Sequence, residues 1–585
     1  MAKDYSQLNK EELLKIVEKL ESRKKYGLIW DEEKVKEQFE KDAENALPVL
    51  KEISSKEITD KDPSKPVNIL IEGDNYHALS VLNFTHQGKI DVIYIDPPYN
   101  TGNKTWKYDN DFVDKEDSYR HSKWLSFMDK RLRLARNLLK EDGVIVVTID
   151  DYEMFTLGVL MDEIFGEHNR LGNVVVINKK SGRTTDKFFA TSHEYYLFYA
   201  KNIELAKVGN MTVKGDRIEE YNLEDNISKF KYRDFLRTGG YSTPEERPNS
   251  YYPIYFNEKK SIISIKKIPN SVEIWPIDSK GVKRVWRRTR ATLVEDVRKG
   301  DVTIIKNRAG KLTIKIKERL KEESKPKTVW DNPQYDAASH GTKLLEKIMG
   351  QPKVFDYPKS LYAVKDAIRL LLNDTQSPVV LDFFAGSGTT GHAVLELNKE
   401  LDNGCSFILC TNNELNGLEK ELRDKRLTEK EMMEYGICRR VTYPRLEKVI
   451  RGYKDSEPLG GSLKYFKTKF VKKNANGDDF KTRITQECTE MLCLREGVFD
   501  EVKKTDNYRI FQQGDKTLAV YYSLDRKTLP ALKKELEKMS GEKILYCFTL
   551  DITGLSKTEF ANWHGVTLEP IPQKILDVYK QIYEY

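Results

Sequence analysis

Short apolar runs recur along this chain, each closed by an acid, a glycine or a proline. Most lead into stretches whose apolar residues return every three or four positions. Residues 8–25, "LNKEELLKIVEKLESRKK", carry Leu13, Leu14, Ile16, Val17 and Leu20 at helical spacing and predict an amphipathic helix. "VNILIEGDNYHALSVL" predicts a buried strand, a turn at Gly73–Asp74 and a helix. "DVIYIDPPYNTG" (91–102) is a second strand that runs from Val92 to Ile95 into an acid and two prolines, which have no N–H for a ladder. "SKWLSFMDKRLRLARNLLKEDGVIVVTID" predicts a helix, a turn at Asp142–Gly143 and a third strand. A helix with Leu157, Leu160, Ile164 and Phe165 follows, then two strands in "NVVVINKK" and "HEYYLFYA". Such alternation predicts an α/β fold with a doubly wound, mostly parallel sheet covered on both faces.

From about residue 201 the texture changes to short β-rich runs mixed with charge, and regular alternation resumes at "SPVVLDFFAGSGTTGHAVLEL" (377–397). The expected organisation is therefore a helical arm (1–65), one half of the α/β core (66–200), a β-rich insertion (201–330), the other half (331–455) and a small separate α+β module (456–585).

Length supports several domains: 585 residues and 68.1 kDa exceed a single core. Ninety-nine basic against 92 acidic residues leave a net charge of +7, so a nucleic-acid surface has to be a local cluster. No apolar run reaches the ~18–20 residues that span a bilayer, and the N-terminus lacks a signal peptide's apolar core. The six cysteines, Cys405, Cys410, Cys438, Cys488, Cys493 and Cys547, have no CxxC or His-paired spacing. They read as reduced thiols of a cytoplasmic protein without a metal site or a membrane partner. His193 beside Glu194 suggests a ligand pair, but neighbouring strand residues face opposite ways, so His193 reads as structural.

Two stretches carry chemistry. In "DPPY" a stiff turn presents Asp96, the Pro97 carbonyl and the ring of Tyr99, with Pro98 fixing the backbone. In "VVLDFFAGSGTTGHAV" the strand from Val379 to Leu381 ends at Asp382 and a glycine loop leads into a helix. Gly386 and Gly388 allow close approach to the backbone, Thr389 and Thr390 can cap the helix, and the lysine of a phosphate-binding GxxxxGK[ST] loop is missing. Each stretch alone is also compatible with a structural turn. In open α/β sheets, ligands bind at the carboxyl ends of the strands, where both would lie.

As a pair in this order, separated by a long insertion, the two motifs resemble the β-ordered adenine-N6 DNA methyltransferases. "EGDNYHALSVL", "DVIYIDPPYNTG", "FAGSGTTGHAVLELN" and "FILCTNNE" are most similar to the modification subunits of type III restriction–modification systems. The resemblance covers roughly residues 20–455. It implies direct methyl transfer from S-adenosylmethionine to the N6 amine of adenine in duplex DNA. Asp96 and the Pro97 carbonyl would accept from the amine, Pro98 would stiffen the loop, and Tyr99 would stack on an extracted base. Related cytosine-N4 enzymes commonly carry Ser at the position of Asp96, which favours adenine here.

For the cofactor, the resemblance implies Asp382, Phe383, Phe384, Ala385, Gly386, Ser387, Gly388 and Thr389 near the methionine moiety. It also implies Asp74 near the adenine, Lys359 in the wall segment "FDYPKS", and Glu414 at the ribose, although Asn412 and Asn413 make the ribose partner ambiguous. The insertion is expected to read DNA through "GVKRVWRRTR" (281–290), with Lys283, Arg284, Trp286, Arg287, Arg288 and Arg290. "NKKSGR" (178–183) is a second basic loop. The expected partners are duplex DNA, a second copy in a homodimer and a separate helicase–nuclease restriction subunit. Alternative readings are a solitary DNA methyltransferase, a cytosine-N4, RNA or protein-amide methyltransferase, and a silent DNA-binding scaffold.

Overall fold

The computed structural model describes residues 46–583 except 63–64, 109–110, 115–118, 213–218, 308–309, 322, 373–374, 416, 474–475 and 552, together with Lys10, Leu28 and Trp30. The helix predicted over 8–25 otherwise lies outside the described residues. The chain divides into two compact units, one of residues 1–209 and 327–585 and the other of residues 210–326.

The first unit is built on a ten-stranded sheet: β1 (Ala46–Glu52), β2 (Val67–Glu72), β3 (Ile90–Ile95), β4 (Leu139–Ile149), β5 (Arg170–Ile177), β6 (His193–Ala200), β7 (Val329–Trp330), β8 (Val379–Asp382), β9 (Ser406–Thr411) and β10 (Ser462–Lys472). Their spatial order is β1-β10-β2-β9-β8-β3-β4-β6-β5-β7. The six central strands from β10 to β4 are mutually parallel, while β6 and β1 run antiparallel to their neighbours. Helices α1 (Asn75–Thr85), α2 (Arg120–Leu138), α3 (Met154–Phe165), α4 (Leu361–Leu372), α5 (Thr389–Leu401) and α6 (Tyr443–Arg451) accompany it. This is the α/β, doubly wound, mostly parallel sheet that the alternation predicts.

Two local expectations change. The turn predicted at Asp142–Gly143 is an excursion within β4: pairing to β3 steps from Ile90↔Leu139 directly to Val92↔Val144. A Cβ on Gly143 would lie 3.0 Å from the Ile90 carbonyl oxygen. The segment from 456 is not separate from the core. Its first strand, β10, lies inside the main sheet, parallel to β2 and antiparallel to β1. Its five-stranded sheet (500–504, 508–513, 516–521, 542–548, 567–571) shares one apolar core with α1 through Met491, Leu492, Val520, Tyr546 and Ile575. Covered in this way, α1 is buried at every position from Tyr76 to Thr85, as a helix packed on all sides must be. Local periodicity identified these elements as α+β but not the sheet that β10 joins.

The second unit pairs 211–212 with 323–324 and holds a four-stranded sheet (223–224, 229–234, 312–319, 302–306). Its own core contains Phe235, Tyr252, Ile254, Trp286, Leu293 and Ile314. Among the described residues no helix is long and apolar enough to cross a membrane.

The C-terminal helix α7 (Gln573–Tyr583) buries Tyr579 and sends its hydroxyl to the Pro48 carbonyl of β1 at 2.5 Å. Tyr579→Ala is expected to cost about 3–5 kcal/mol. Denaturant melts followed at tryptophan and by bound cofactor should shift together; a cofactor transition left unmoved would mean that the module unfolds on its own.

Candidate active site at the carboxyl edge of the sheet

Strands β3 and β8 are neighbours in parallel register, Val92↔Val380 and Ile93↔Leu381. The residues that follow them, Asp96 and Asp382, therefore emerge at one edge. The charge of Asp96 reaches Asp382. Burial pushes the Asp382 carboxyl up to about 7, against bonds from Thr390 Oγ1 (2.6 Å) and the Phe384 N–H (2.8 Å), and the Asp96 carboxylate adds to the rise.

The tetrapeptide 96–99 is pinned from several sides. The fully buried Thr148, on β4, donates to Asp96 Oδ1 at 2.6 Å, and Lys359 Nζ lies 3.1 Å from the same oxygen. Oδ2 is left without a protein donor among the described residues. Trp124 Nε1 donates to the Pro98 carbonyl at 2.7 Å, whereas no donor among the described residues reaches the carbonyl of Pro97. Asn100 takes a left-handed φ of 53° and donates to Glu153 Oε1 at 2.5 Å, anchoring the turn to a buried acid. Tyr99 directs its hydroxyl between Glu194 Oε2 (3.0 Å) and Thr148 Oγ1 (3.2 Å). Burial, with Asp96 and Glu194 adding, holds its phenol well above the usual range, so it stays neutral.

Lys359 ties these groups together. Its ammonium meets Glu194 at 2.7 Å, donates to the Tyr99 hydroxyl, and lies 4.5 Å from that ring's centroid. Burial works to lower its pKa, but the Asp96 and Glu194 carboxylates outweigh burial and hold it above its ordinary value. The segment carrying Lys359 is placed by Gly341, where a Cβ would lie 2.2 Å from the Pro358 carbonyl oxygen.

The second loop divides by exposure. Phe384 and Gly386 are half-buried, whereas Phe383, Ala385, Ser387, Gly388 and Thr389 are buried. Phe383 belongs to the main core, and its carbonyl accepts from Asn75 Nδ2 at 3.0 Å while Asn75 Oδ1 accepts from the buried Arg131 at 2.6 Å. Buried Arg445, on α6, donates to Thr389 Oγ1 at 2.8 Å and to the Ser387 carbonyl at 3.2 Å. Gly386 and Gly388 both need positive φ (45° and 75°). Added Cβ atoms there would meet Phe355 at 3.2 Å and Thr442 at 3.3 Å. Neither threonine caps α5: Gly388 is the N-cap, and Thr390 binds Asp382 instead. Asp74 caps α1 through the Tyr76 N–H at 2.8 Å and stands 3.5 Å from Arg131. Glu414 is exposed after β9 and accepts from Asn412 at 2.6 Å.

The N6/N4 methyltransferase family model, described as DNA methylase, matches residues 90–416, which contain both loops. The chain belongs to that family. It is 37% identical to the type II methyltransferase M.KpnI of Klebsiella pneumoniae over 57% of this chain and 77% of that one. It is 32% identical to the Mod subunit of the type III enzyme EcoPI of Escherichia phage P1, over 59% of this chain and 57% of that one. The chain thus spans under two thirds of the length of that type III relative. A solved PvuII DNA methyltransferase, titled cytosine-N4-specific, aligns over 66% of this chain and 96% of its own at 13% identity, with a TM-score of 0.30.

The methylase is therefore a DNA methyltransferase, and its cofactor is S-adenosylmethionine. The loop around Gly386 suits that molecule: it is open at Phe384 and Gly386, left-handed at two glycines, and closed from the far side by Phe355.

The structure adds Glu194 to the site. Sequence reasoning dismissed the His193–Glu194 pair as a ligand set; opposite facing does separate them, but it sends Glu194 into the cleft while His193 bonds to Tyr195 at 3.0 Å. Thr148 and Trp124 carried no motif signal, and Asn75 lies within "EGDNYHALSVL" without an expected role. In the insertion, Trp286 is corrected from a surface residue to a core one: it is 3% exposed and donates to the Tyr252 carbonyl at 2.7 Å. Arg284 is engaged by Asp278 at 3.0 Å and Arg288 by Asp296 at 3.1 Å. Lys283 and Arg290 are exposed, the latter 5.4 Å from the Tyr252 ring. Arg287 has its pKa lowered by burial and then by Arg233 and Arg237, two cations outside the basic run that stand close to it.

Gly341→Ala must displace the backbone before Lys359 and is expected to slow methyl transfer by about 10²-fold, read in single-turnover assays. Asp382 binds a proton in the folded state between its ordinary 3.8 and about 7, so folding stability falls as pH rises through that window. Relative to Asp382→Asn, the parent should lose at most ~1.4 kcal/mol per pH unit there, and the difference should level off above it. Parallel stability curves would count against the buried proton.

Proposed function

We propose that this methylase transfers a methyl group to the N6 amine of adenine in duplex DNA, as the modification subunit of a type III restriction–modification system. The observation that carries the chemistry is a pair of acceptors that no donor among the described residues engages, Asp96 Oδ2 and the Pro97 carbonyl, in a loop pinned at its other groups. An exocyclic amine has two hydrogens and a lone pair delocalised into its ring. Two acceptors held in advance on those hydrogens favour the pyramidal nitrogen whose lone pair can attack. When bound, S-adenosylmethionine supplies an electrophilic methyl on a sulfonium centre, which Phe384, Gly386 and Phe355 would hold. Asp96 Oδ2 would take one amine proton as the nitrogen accepts the methyl group, the electron pair of the broken carbon–sulfur bond staying with the donor's sulfur. Tyr99, fixed by Glu194 and Lys359, supplies the aromatic surface for an extruded base.

Asp96 in place of serine supports adenine over cytosine. The insertion supplies the DNA-reading surface, through Lys283, Arg287 and Arg290 with Arg233 and Arg237. A homodimer and a separate helicase–nuclease subunit complete the reading. M.KpnI's higher identity favours a second reading, a methyltransferase that works without a restriction partner; co-purification of such a subunit from the native cells separates the two.

Single-molecule sequencing of DNA from cells with and without the chain should return methylated adenine at one recurring site. With labelled cofactor, duplex DNA should be the acceptor; label on duplex RNA, or none on DNA, would sink the assignment. Asp96→Ala should reduce transfer by about 10²–10³-fold while cofactor binding stays within a few fold. Equal loss of both would mean that the fold had failed.

A further inference from the structure

Between β5 and β6 runs the segment 178–192, "NKKSGRTTDKFFATS", at the same carboxyl edge as Asp96, because β5 is parallel to β3. Its tip exposes two phenylalanines almost completely, Phe188 at 81% and Phe189 at 89%. Apolar rings left this open in water mark a surface made for a partner.

The loop beneath them is built. The Lys179 N–H bonds to the Ser192 carbonyl at 3.1 Å and the Arg183 N–H to the Thr191 carbonyl at 2.9 Å. Asp186 accepts from the Thr191 N–H at 2.9 Å, so the one acid of the segment is used internally. Gly182, at φ 70°, lets the two arms of the loop close, since a Cβ there would lie 2.7 Å from Ala190 Cβ. The other charges are Lys179, Lys180, Arg183 and Lys187, all basic, and Lys187 Nζ sits 5.2 Å over the Phe188 ring. The Ala337 N–H donates to the Asn178 carbonyl at 3.0 Å, which ties the start of the loop to the segment that leads to Gly341 and Lys359, and Asp150, just after β4, feels the charges of both Lys359 and Arg183.

We propose that this loop is a DNA wedge: its basic base rides on phosphates while Phe188 and Phe189 enter the stack vacated by the target base. The proposal rests on the duplex-DNA reading above. A polyanion explains the four cations of the segment, one of them beside a ring, which an apolar protein partner would not need. Aromatic or aliphatic wedges that fill a gap in the stack stabilise an otherwise costly extruded state.

The test uses the full chain and a duplex bearing the site returned by sequencing. Both rings face solvent, so Phe188→Ala/Phe189→Ala should melt like the parent. On the paired duplex its transfer rate should fall about ten- to a hundredfold, and 2-aminopurine at the target position should lose most of its binding-induced fluorescence. An abasic position opposite the target removes the pairing to be broken and should restore the rate to within about threefold of the parent. Parental transfer on the paired duplex would overturn the wedge, as would failure of the abasic duplex to rescue. So would a variant that transfers normally but no longer binds a restriction subunit. If sequencing returns no methylated adenine, the functional reading fails first, independently of these variants.

Discussion

The cleft depends on one buried ammonium held between two carboxylates. Lys359 meets Glu194 at 2.7 Å and Asp96 at 3.1 Å, and the three residues come from segments far apart in the chain. Stripping water from such groups costs several kcal/mol each, which mutual attraction and further hydrogen bonds have to offset. Thr148 and the Tyr99 hydroxyl supply those bonds. The result is not chiefly a gain in stability. It is a proline loop with almost no freedom, beside two acids held against one cation. A surplus acid is suited to a positively charged sulfonium donor and to the hydrogens of an amine.

Parallel pairing brings the two chemical loops together. Because β3 and β8 are neighbours in register, the turn after each opens on the same crevice, as expected where connections in an open α/β sheet diverge. The loops then solve different problems. The proline loop is held by side chains from β4, β6 and α2. The glycine loop is held from beneath by Arg445 and Asn75, leaving Phe384 and Gly386 to face a ligand. Most of the residues in FAGSGTT thus serve the shape of the loop rather than contact.

What was legible in the sequence follows from this division. Prolines and glycines punctuate the backbone locally, so DPPY and FAGSGTT could be found without a fold. Glu194 could not, since its role comes from β6 lying beside β4, a pairing between residues 144–149 and 195–200. Trp286 looked like a stacking residue among arginines, but its strand has an inner face, and the indole fills the insertion's core while its N–H satisfies a carbonyl. Likewise, a β-rich tail signals strands and says nothing about β10 slotting between β1 and β2. Short-range pattern reports which elements form; it does not report which edges they meet.

Rigidity at the acceptor has one more consequence. A loop fixed by Trp124, Thr148, Asn100 and Lys359 cannot travel into a duplex to find its amine. The base has to come to the loop, and the stack it leaves must be kept from closing. That places a second requirement on the same edge of the sheet, met by something apolar, projecting and carried on a basic segment. The ordered base of segment 178–192 and its two open rings meet that requirement, whereas Tyr99, half-buried and fixed through its hydroxyl, cannot. Extraction and acceptance are thereby separated, one on a projecting loop and the other on a locked one.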